Sequence, residues 1–202
     1  MARLRIGVLI SGSGTNLQAI IDGCLQGRID GEVVVVVSSH EAAFGLERAR
    51  KAQIPAIYID RTKHDTIASY NHAVRKTLED HRVTVVAMAG YMRLLGREVL
   101  GAYQNRVLNI HPALLPSFPG ASGIKDAFEY GVKVTGVTVH FANEDFDAGP
   151  IVAQEAVAIA EDDTVETLEA KIHEVEHRIY PAALQLLAEE RVVIEGRRVR
   201  IL

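Results

Sequence analysis

The amino-acid sequence predicts an α/β protein built on a doubly wound, Rossmann-like, mostly parallel sheet. Three observations carry this prediction. Apolar runs typical of buried parallel strands alternate with segments typical of helices throughout the first half of the chain. The first apolar run, residues 4–11, ends in a glycine-rich turn that leads into a helix. Two long apolar runs in the second half flank an acidic loop, which predicts antiparallel strands that extend the same sheet.

The predicted elements of the first half follow one another in βαβ order. Each strand is predicted from an apolar run, and the helices occupy the stretches between those runs. The predicted strands are residues 4–11, 32–38, 56–60, 83–89 and 106–110, and the predicted helices are residues 16–26, 41–52 and 65–80. This regular alternation is what predicts the parallel sheet.

A loop rich in proline and glycine follows His111 and separates the two halves of the chain. The elements predicted after it are a short helix (124–130), two strands (132–141 and 151–159), a long helix that begins with Thr164 as its N-cap, and a terminal hairpin (192–195 with 198–201). Pro181 has no backbone N–H, so we expect it to bend or interrupt the long helix before residues 182–190 continue.

Composition and charge argue against two classes of partner. The 202 residues are 48% hydrophobic and 24% charged, which is ordinary for a globular protein, and their formal net charge of -4 argues against nucleic-acid binding. The chain shows no signal peptide and no apolar run long enough to span a bilayer, so we expect no membrane partner and a cytoplasmic location. The single cysteine, Cys24, is interpreted as a packing residue of the first helix.

The glycine-rich turn, residues 12–16, has the sequence context of a phosphate site. It follows a strand and opens a helix, so free N–H groups and the positive end of the helix dipole point at a ligand. It lacks the Gly-Lys-Ser/Thr of a P-loop, and Leu17 stands where a dinucleotide-binding turn has its third glycine. A phosphomonoester is therefore preferred to a dinucleotide, with an ordinary βα turn as the alternative.

Asn109 and His111 are expected side by side at the mouth of a strand, because Pro112 stops regular pairing there. Asp147 lies in the loop between the two later strands and can face His111 if those strands extend the same sheet. An aspartate beside a histidine favours imidazolium, and imidazolium with an asparagine amide makes a donor pair for a developing oxyanion. These residue types predict acyl transfer without a protein nucleophile, and a structural histidine at a strand end is an equally open alternative.

The helical segment 173–177 matches the zinc-protease pattern H-E-x-x-H. Two histidines at this spacing could bind a metal, with Glu174 as the base. The helix is rich in glutamate and histidine, so a chance match is easy, and no evident third-ligand motif follows. We therefore favour a polar helix face that lines a cleft, and we expect no metal.

Six motifs together resemble the folate-dependent formyltransferases over nearly the whole chain. The most specific are the Asn109–His111–Pro112 stretch and the Asp-x-Gly-Pro loop at Asp147, and the glycine-rich turn narrows the resemblance to the phosphoribosylglycinamide formyltransferase family. The motifs are residues 10–20, 43–49, 89–95, 108–116, 136–140 and 147–151.

The resemblance implies transfer of a formyl group from 10-formyltetrahydrofolate to the amine of glycinamide ribonucleotide, in purine biosynthesis. It implies one domain over residues 1–202, with a phosphate-binding half (1–110) and a folate-binding and catalytic half (111–202). The implied catalytic residues are Asn109, His111 and Asp147. The implied ribonucleotide-binding residues are Gly14, Thr15, Asn16, His173, Glu174, Val175 and Glu176. The implied folate-binding residues are Met92, Arg93, Leu94, Leu95, Asn109, Asn143, Glu144, Asp145, Phe146 and Asp147.

Two positions depart from the pattern of the family. Many relatives carry a histidine where Ser122 stands, near the catalytic aspartate, and a serine can hydrogen-bond but cannot carry charge. Some relatives place an arginine that binds the folate tail where Ile67 stands, so Lys63 or another base is expected to substitute, or the tail is held differently.

Other functions remain as alternatives. Methionyl-tRNA formyltransferase and formyltetrahydrofolate deformylase share the catalytic trio, but each has an added domain for which we expect no room in this chain. A non-catalytic nucleotide-binding module would bind a phosphate ligand without formyl transfer. The expected partners are small molecules, and a homodimer is compatible with a sequence that does not determine the oligomeric state.

Overall fold

The computed structural model describes residues 3–202 and shows an α/β fold around a seven-stranded sheet. The strands are β1 (Leu4–Ile10), β2 (Gly31–Ser38), β3 (Ala56–Tyr58), β4 (Val85–Met88), β5 (Val107–His111), β6 (Val134–Phe141) and β7 (Ile151–Ala158). Their order is β3-β2-β1-β4-β5-β6-β7; the first five pair in parallel, while β6 and β7 add antiparallel pairs. The predicted fold class is confirmed.

The helices pack on both faces of the sheet. In the described residues they are α1 (Thr15–Leu25), α2 (Phe44–Lys51), α3 (Ile67–Asp80), α4 (Arg97–Ala102), α5 (Gly123–Tyr130) and α6 (Val165–Ala188), and the terminal hairpin consists of β8 (Val192–Glu195) and β9 (Arg198–Ile201). The short helix α4 is an element that the sequence patterns did not predict. No helix within residues 3–202 combines the length and apolar character needed to cross a membrane.

Alternate residues of β1 face two different hydrophobic clusters. Ile6 and Val8 are fully buried in the cluster that contains residues of α1 and α6, whereas Leu9 is fully buried in the cluster that contains Val74 and Leu78 of α3. A strand buried on both faces has no polar side to show, which explains the continuous apolar sequence of this strand. The two-sided core leaves the carboxyl ends of β1, β4 and β5 free at one edge of the sheet.

The long helix α6 begins as expected and runs on through Pro181, so of the two expected effects of this proline, a bend or an interruption, the interruption is wrong. The Thr164 side chain accepts a hydrogen bond from the Thr167 N–H at 3.3 Å, which confirms the N-cap. Pro181 removes one helical hydrogen bond. Tyr180 beside it is fully buried, with its hydroxyl 2.9 Å from the carbonyl oxygens of Met88 and Leu108. This packing against the sheet keeps the helix continuous across the proline.

Candidate active site

The carboxyl ends of β1, β4 and β5 open into one cleft with a volume of about 670 Å³. Its lining includes residues 12–16, 88–97, 109–112 and 142–147, together with side chains of α6. Cavities of this size are typical of sites for small molecules and cofactors. The cleft therefore brings together the glycine-rich turn, the Asn109–His111 pair and the Asp147 loop, which are far apart in the sequence.

The glycine-rich turn closes one end of the cleft. Gly14 has a φ of 71° and precedes α1 as an N-cap with no side-chain hydrogen bond, so no side chain of the cap occupies the free N–H groups of the first turn. A Cβ atom on residue 14 would lie 2.7 Å from the Cα atom of Gly45. Glycine is therefore required here by both the backbone conformation and the space, and the turn presents N–H groups suited to an anion.

Asn16 and Glu176 form a buried pair beside this turn. Asn16 Nδ2 donates to Glu176 Oε2 at 2.9 Å, and the two residues are only 8% and 5% exposed. Burial raises the pKa of Glu176, and the hydrogen bond from Asn16 and the charge of His173 offset this effect only in part. Within residues 3–202, Asn16 Oδ1 has no hydrogen-bond partner. Two buried acceptors that are short of donors thus line this end of the cleft.

Asp147 lies among several hydrogen-bond donors at the centre of the cleft. Its Oδ2 atom accepts from the Gly120 N–H at 2.9 Å and lies 3.5 Å from His111 Nδ1, while its Oδ1 atom accepts from Asn109 Nδ2 at 3.4 Å. Burial by itself would raise the pKa of Asp147. The contacts with His140 and the Gly120 N–H and the charge of His111 outweigh burial and hold this pKa below its ordinary value. Asp147 is therefore an ionised carboxylate at neutral pH.

His111 is held between two acceptors. The residue is 3% exposed, and its Nε2 atom lies 2.8 Å from the carbonyl oxygen of Phe118. A carbonyl oxygen can only accept, so Nε2 carries a proton, and Nδ1 is the atom that faces Asp147. Each ring nitrogen of His111 therefore faces an acceptor, the Phe118 carbonyl at Nε2 and the Asp147 carboxylate at Nδ1.

His140 lines the cleft and is a residue that the sequence analysis did not name for the site. It pairs with Asn109 across β5 and β6, is 2% exposed, and has its Nε2 atom 3.2 Å from Asn109 Nδ2 and 3.7 Å from Asp147 Oδ1. Its Nδ1 atom donates to the Phe141 carbonyl at 3.0 Å, which orients the ring. The available signal was a titratable residue in a strand that has no other, but its position opposite Asn109 depends on the strand register.

Ser122 does not contact Asp147. It is an exposed residue and serves as the N-cap of α5 without a side-chain hydrogen bond. The donor that this loop supplies to Asp147 is the backbone N–H of Gly120, which has a φ of 102°. A main-chain group thus contributes the contact that had been considered for a side chain at position 122.

The loops 91–96 and 142–147 bring exposed apolar side chains to the cleft. Met92, Leu94 and Phe146 are 64%, 65% and 56% exposed and line the same cleft, and apolar side chains grouped in this way are typical of ligand-binding grooves. The other predicted folate-binding residues also line the cleft, namely Arg93, Leu95, Asn109, Asn143, Glu144, Asp145 and Asp147. Ile67, which begins α3, and Lys63 are exposed residues outside this lining.

Helix α6 divides its predicted site residues between different faces. His173 and Glu176 line the cleft, because residues three apart lie on one side of a helix. Glu174 is exposed outside the lining, and Val175 packs against the hydrophobic core. His177 stacks on His173 with 6.0 Å between ring centroids, but no group of three or more histidine, cysteine, aspartate or glutamate side chains in residues 3–202 is arranged to hold a metal ion.

Known proteins are similar to this chain in sequence and in fold. Residues 4–184 match the family model described as formyl transferase. The phosphoribosylglycinamide formyltransferase of Bacillus subtilis (strain 168) is 40% identical over 183 residues, which cover 91% of this chain and 94% of that protein. The crystal structure of glycinamide ribonucleotide transformylase 1 from Symbiobacterium toebii is 54% identical, with a TM-score of 0.97 and coverage of 98% of this chain and 94% of that one.

A further match is to part of a longer protein. The trifunctional purine biosynthetic protein adenosine-3 of Gallus gallus is 44% identical over 192 residues, which are 95% of this chain but 19% of that protein. This chain thus spans about a fifth of the length of that relative. The family model covers most of the chain, and the Bacillus relative matches over nearly its full length. The chain therefore belongs to the formyl transferase family.

Proposed function

We propose that this protein transfers the formyl group of 10-formyltetrahydrofolate to the amine of N1-(5-phospho-D-ribosyl)glycinamide (glycinamide ribonucleotide), a step of purine biosynthesis. The observation that carries the proposal is that Asn109, His111 and Asp147 contact one another in a cleft that is also lined by a turn suited to an anion and by exposed apolar side chains. Membership of the formyl transferase family supports it, because close relatives bear the name of this enzyme.

The ribonucleotide is assigned to the end of the cleft near α1. The N–H groups of Gly14, Thr15 and Asn16 suit the 5′-phosphate, since a helix N-terminus attracts anions. Glu176 and the free Oδ1 atom of Asn16 are acceptors for the N–H and O–H groups of the sugar and glycinamide. Hydrogen bonds from the ligand to these two buried acceptors would offset the cost of burying them. This favours a ligand that carries both an anionic group and several hydrogen-bond donors.

The folate is assigned to the part of the cleft lined by the exposed apolar side chains of the loops 91–96 and 142–147. Met92, Leu94 and Phe146 offer apolar surface for a flat heterocycle, and burying that surface favours binding. Polar groups of the loop 143–147 lie beside it, where they can fix the orientation of the ring. The residues present therefore fit a folate.

The proposed catalytic residues stabilise the negative charge that develops on the formyl oxygen and accept the proton that the amine loses. The bound formyl folate supplies an electrophilic formyl carbon, and the cleft holds the ribonucleotide amine in attack distance of it. The Asn109 contact with Asp147 is long, at 3.4 Å, so this N–H group can turn to a better acceptor, the formyl oxygen. Protonated His111 stabilises the same developing negative charge. Asp147 stabilises His111 and, directly or through a water molecule, accepts the proton that the amine loses. As the tetrahedral intermediate collapses, the bond between the formyl carbon and N10 of the folate breaks, and this proton passes to N10, so that tetrahydrofolate is released.

The proposal extends to location and assembly. Both proposed substrates are small molecules. We also propose a cytoplasmic location. We keep two predictions from the sequence, namely that a homodimer can form and that the domain divides into a phosphate-binding half (1–110) and a folate-binding and catalytic half (111–202). Light scattering on the purified protein tests the dimer, since a monomer has a mass of 22.1 kDa.

The deciding experiment follows loss of the formyl group from 10-formyltetrahydrofolate with and without glycinamide ribonucleotide, in metal-free buffer. We expect turnover that requires the ribonucleotide. His111→Ala should abolish turnover and leave ribonucleotide binding, measured by calorimetry, largely intact. Ribonucleotide binding without turnover in the wild type would indicate a non-catalytic module, formyl loss without ribonucleotide would indicate a deformylase, and chelator-sensitive peptidase activity would favour a zinc enzyme. A His111→Ala protein that also loses binding would assign His111 to structure.

A further inference from the structure

Ser11 stands where the backbone pairing of β1 ends and the two walls of the cleft separate. The last backbone bonds of β1 run to both neighbouring strand ends: the Ala89 N–H donates to the Leu9 carbonyl at 2.8 Å, and the Ser39 N–H donates to the Ile10 carbonyl at 3.1 Å. Beyond this level the chain after β1 becomes the glycine-rich turn. The chain after β4 becomes residues 91–96, here called the apolar loop.

The Ser11 hydroxyl connects these two walls. Its Oγ atom accepts a hydrogen bond from the Met92 N–H at 2.8 Å and lies 2.7 Å from Ser39 Oγ. Ser11 is half-buried and does not belong to the cleft lining, whereas Gly12 and Met92 on either side of the link both do. One side chain therefore bridges from the residue before the glycine-rich turn to the start of the apolar loop.

Other contacts fix the apolar loop to a different element. The Gly96 N–H donates to Asn71 Oδ1 at 2.9 Å, and the Tyr91 hydroxyl lies 2.7 Å from the Tyr70 hydroxyl in a buried contact. Asn71 and Tyr70 both belong to α3, which does not line the cleft. These contacts join the loop to α3. The bond from the Met92 N–H to Ser11 joins it, beyond the last backbone bond between β1 and β4, to the chain that leads into the glycine-rich turn.

We propose that Ser11 is a positioning residue that fixes the distance between the ribonucleotide and folate subsites. The proposal rests on the function proposed above, because it needs one substrate on each wall. Ser11 touches neither substrate and acts through the backbone of Met92. Reaction between two bound molecules is very sensitive to their separation, so a small shift of one wall lowers the rate even when each substrate still binds.

Ser11→Ala and Ser39→Ala form a matched pair for the test. Both remove the contact between the two hydroxyl groups, but Ser39→Ala leaves Ser11 Oγ as the acceptor for the Met92 N–H. We expect Ser11→Ala to lower kcat about tenfold with the ribonucleotide KM changed less than about twofold, and Ser39→Ala to keep kcat within about twofold. Ser11→Thr, which retains a hydroxyl, should recover most of the rate. Equal losses in the two alanine variants, or an unchanged kcat in Ser11→Ala, would overturn the proposal.

Hydrogen exchange of the Met92 amide provides a readout that does not depend on turnover. It should be faster in Ser11→Ala than in the wild type and unchanged in Ser39→Ala, because only the first variant removes the acceptor. Thermal unfolding of the same proteins shows whether Ser11→Ala is folded. If the wild type transfers no formyl group, the proposed function fails, and the exchange rate alone decides the link: faster exchange in Ser11→Ala supports it, and unchanged exchange refutes it.

Discussion

Two buried carboxyl groups lie in different parts of the cleft, and their surroundings shift their pKa values in opposite directions. The side chains of Glu176 and Asp147 are 7% and 4% exposed, so both lose contact with water. Burial dominates at Glu176 and raises its pKa. At Asp147 the surrounding donors outweigh burial, and the pKa is lowered. The hydrogen-bond donors and neighbouring histidines around Asp147 outweigh its burial, whereas the fewer contacts of Glu176 do not, and this decides the direction in which each pKa shifts.

The difference separates a preorganised part of the cleft from one that a ligand completes. Asp147 receives the Gly120 N–H, faces Asn109 and His111, and holds its charge before any substrate arrives. Such preorganisation is what electrostatic catalysis requires. Glu176 receives a hydrogen bond from Asn16 and lies 3.9 Å from His173, which does not compensate for its burial. Glu176 can therefore accept further hydrogen bonds from a ligand, as expected of a residue that recognises a substrate.

The largest expected effect comes from removing the charge of Asp147. Asp147→Asn keeps the size of the side chain and an acceptor for the Gly120 N–H, but it takes away the negative charge that faces His111. We expect kcat to fall by about a thousandfold or more, as for other catalytic groups that move protons or stabilise charge. Formyl transfer at saturating substrates measures this. Asp162→Asn, at an exposed position before α6, is the control, and a kcat for Asp147→Asn within about tenfold of the wild type would contradict the preorganised role.

A smaller effect is expected for His140, which contacts Asn109 and Asp147 from the side. His140→Ala leaves Asn109 and Asp147 in place but removes the ring that contacts both of them. We expect kcat to fall about tenfold to a hundredfold with little change in KM, because misplacement affects the reacting geometry more than binding. Steady-state kinetics for both substrates test this, with His72→Ala on the exposed face of α3 as the control. A rise in KM alone would assign His140 to binding.

The contrast between the two carboxyl groups predicts opposite pH dependences of stability. The pKa of Glu176 is raised in the folded state, so its contribution is complete below its unfolded value of about 4.3 and is lost as pH rises through the folded value. The pKa of Asp147 is lowered, so its contribution is present above about pH 3.9 and is lost as pH falls through the folded value. With rising pH, wild-type stability should therefore fall relative to Glu176→Gln and rise relative to Asp147→Asn. Urea unfolding between about pH 3 and pH 7 measures both differences in the free energy of unfolding. If the two differences changed with pH in the same direction, the opposite pKa shifts of Glu176 and Asp147 would be contradicted.

Most of the fold and one part of the site could be predicted from the sequence because their signals are local. Buried parallel strands have continuous apolar runs, and the glycine-rich turn lies within five consecutive residues between a strand and a helix. Asn109 and His111 were placed at a strand mouth by the proline that follows them. The short helix α4 escaped prediction because its six residues bury only Val99 and Leu100, too few to establish a helical period.

The surroundings of Asp147 could not be predicted in the same way because they depend on long-range contacts. His140 meets Asn109 through the register of β5 and β6, which no local pattern specifies. Asp147 has a φ of 49°, an uncommon conformation for a residue other than glycine. Its donor from Gly120 is a backbone group, and every residue except proline has one. The sequence therefore drew attention to the side chain at position 122 instead of the main chain two residues before it.

The smallest expected effect is at that position. Ser122→Ala should leave kcat within about twofold of the wild type, because the exposed hydroxyl makes no hydrogen bond to Asp147. Gly120→Ala is the informative partner: a Cβ atom there would meet nothing within 4 Å, so its effect arises from the backbone, whose φ of 102° an alanine adopts only with strain. A shift of the Gly120 N–H away from Asp147 should lower kcat about tenfold. If Ser122→Ala lost as much activity as Gly120→Ala, support of Asp147 would belong to the side chain at position 122, and the preorganised part of the cleft would rest on a different set of donors.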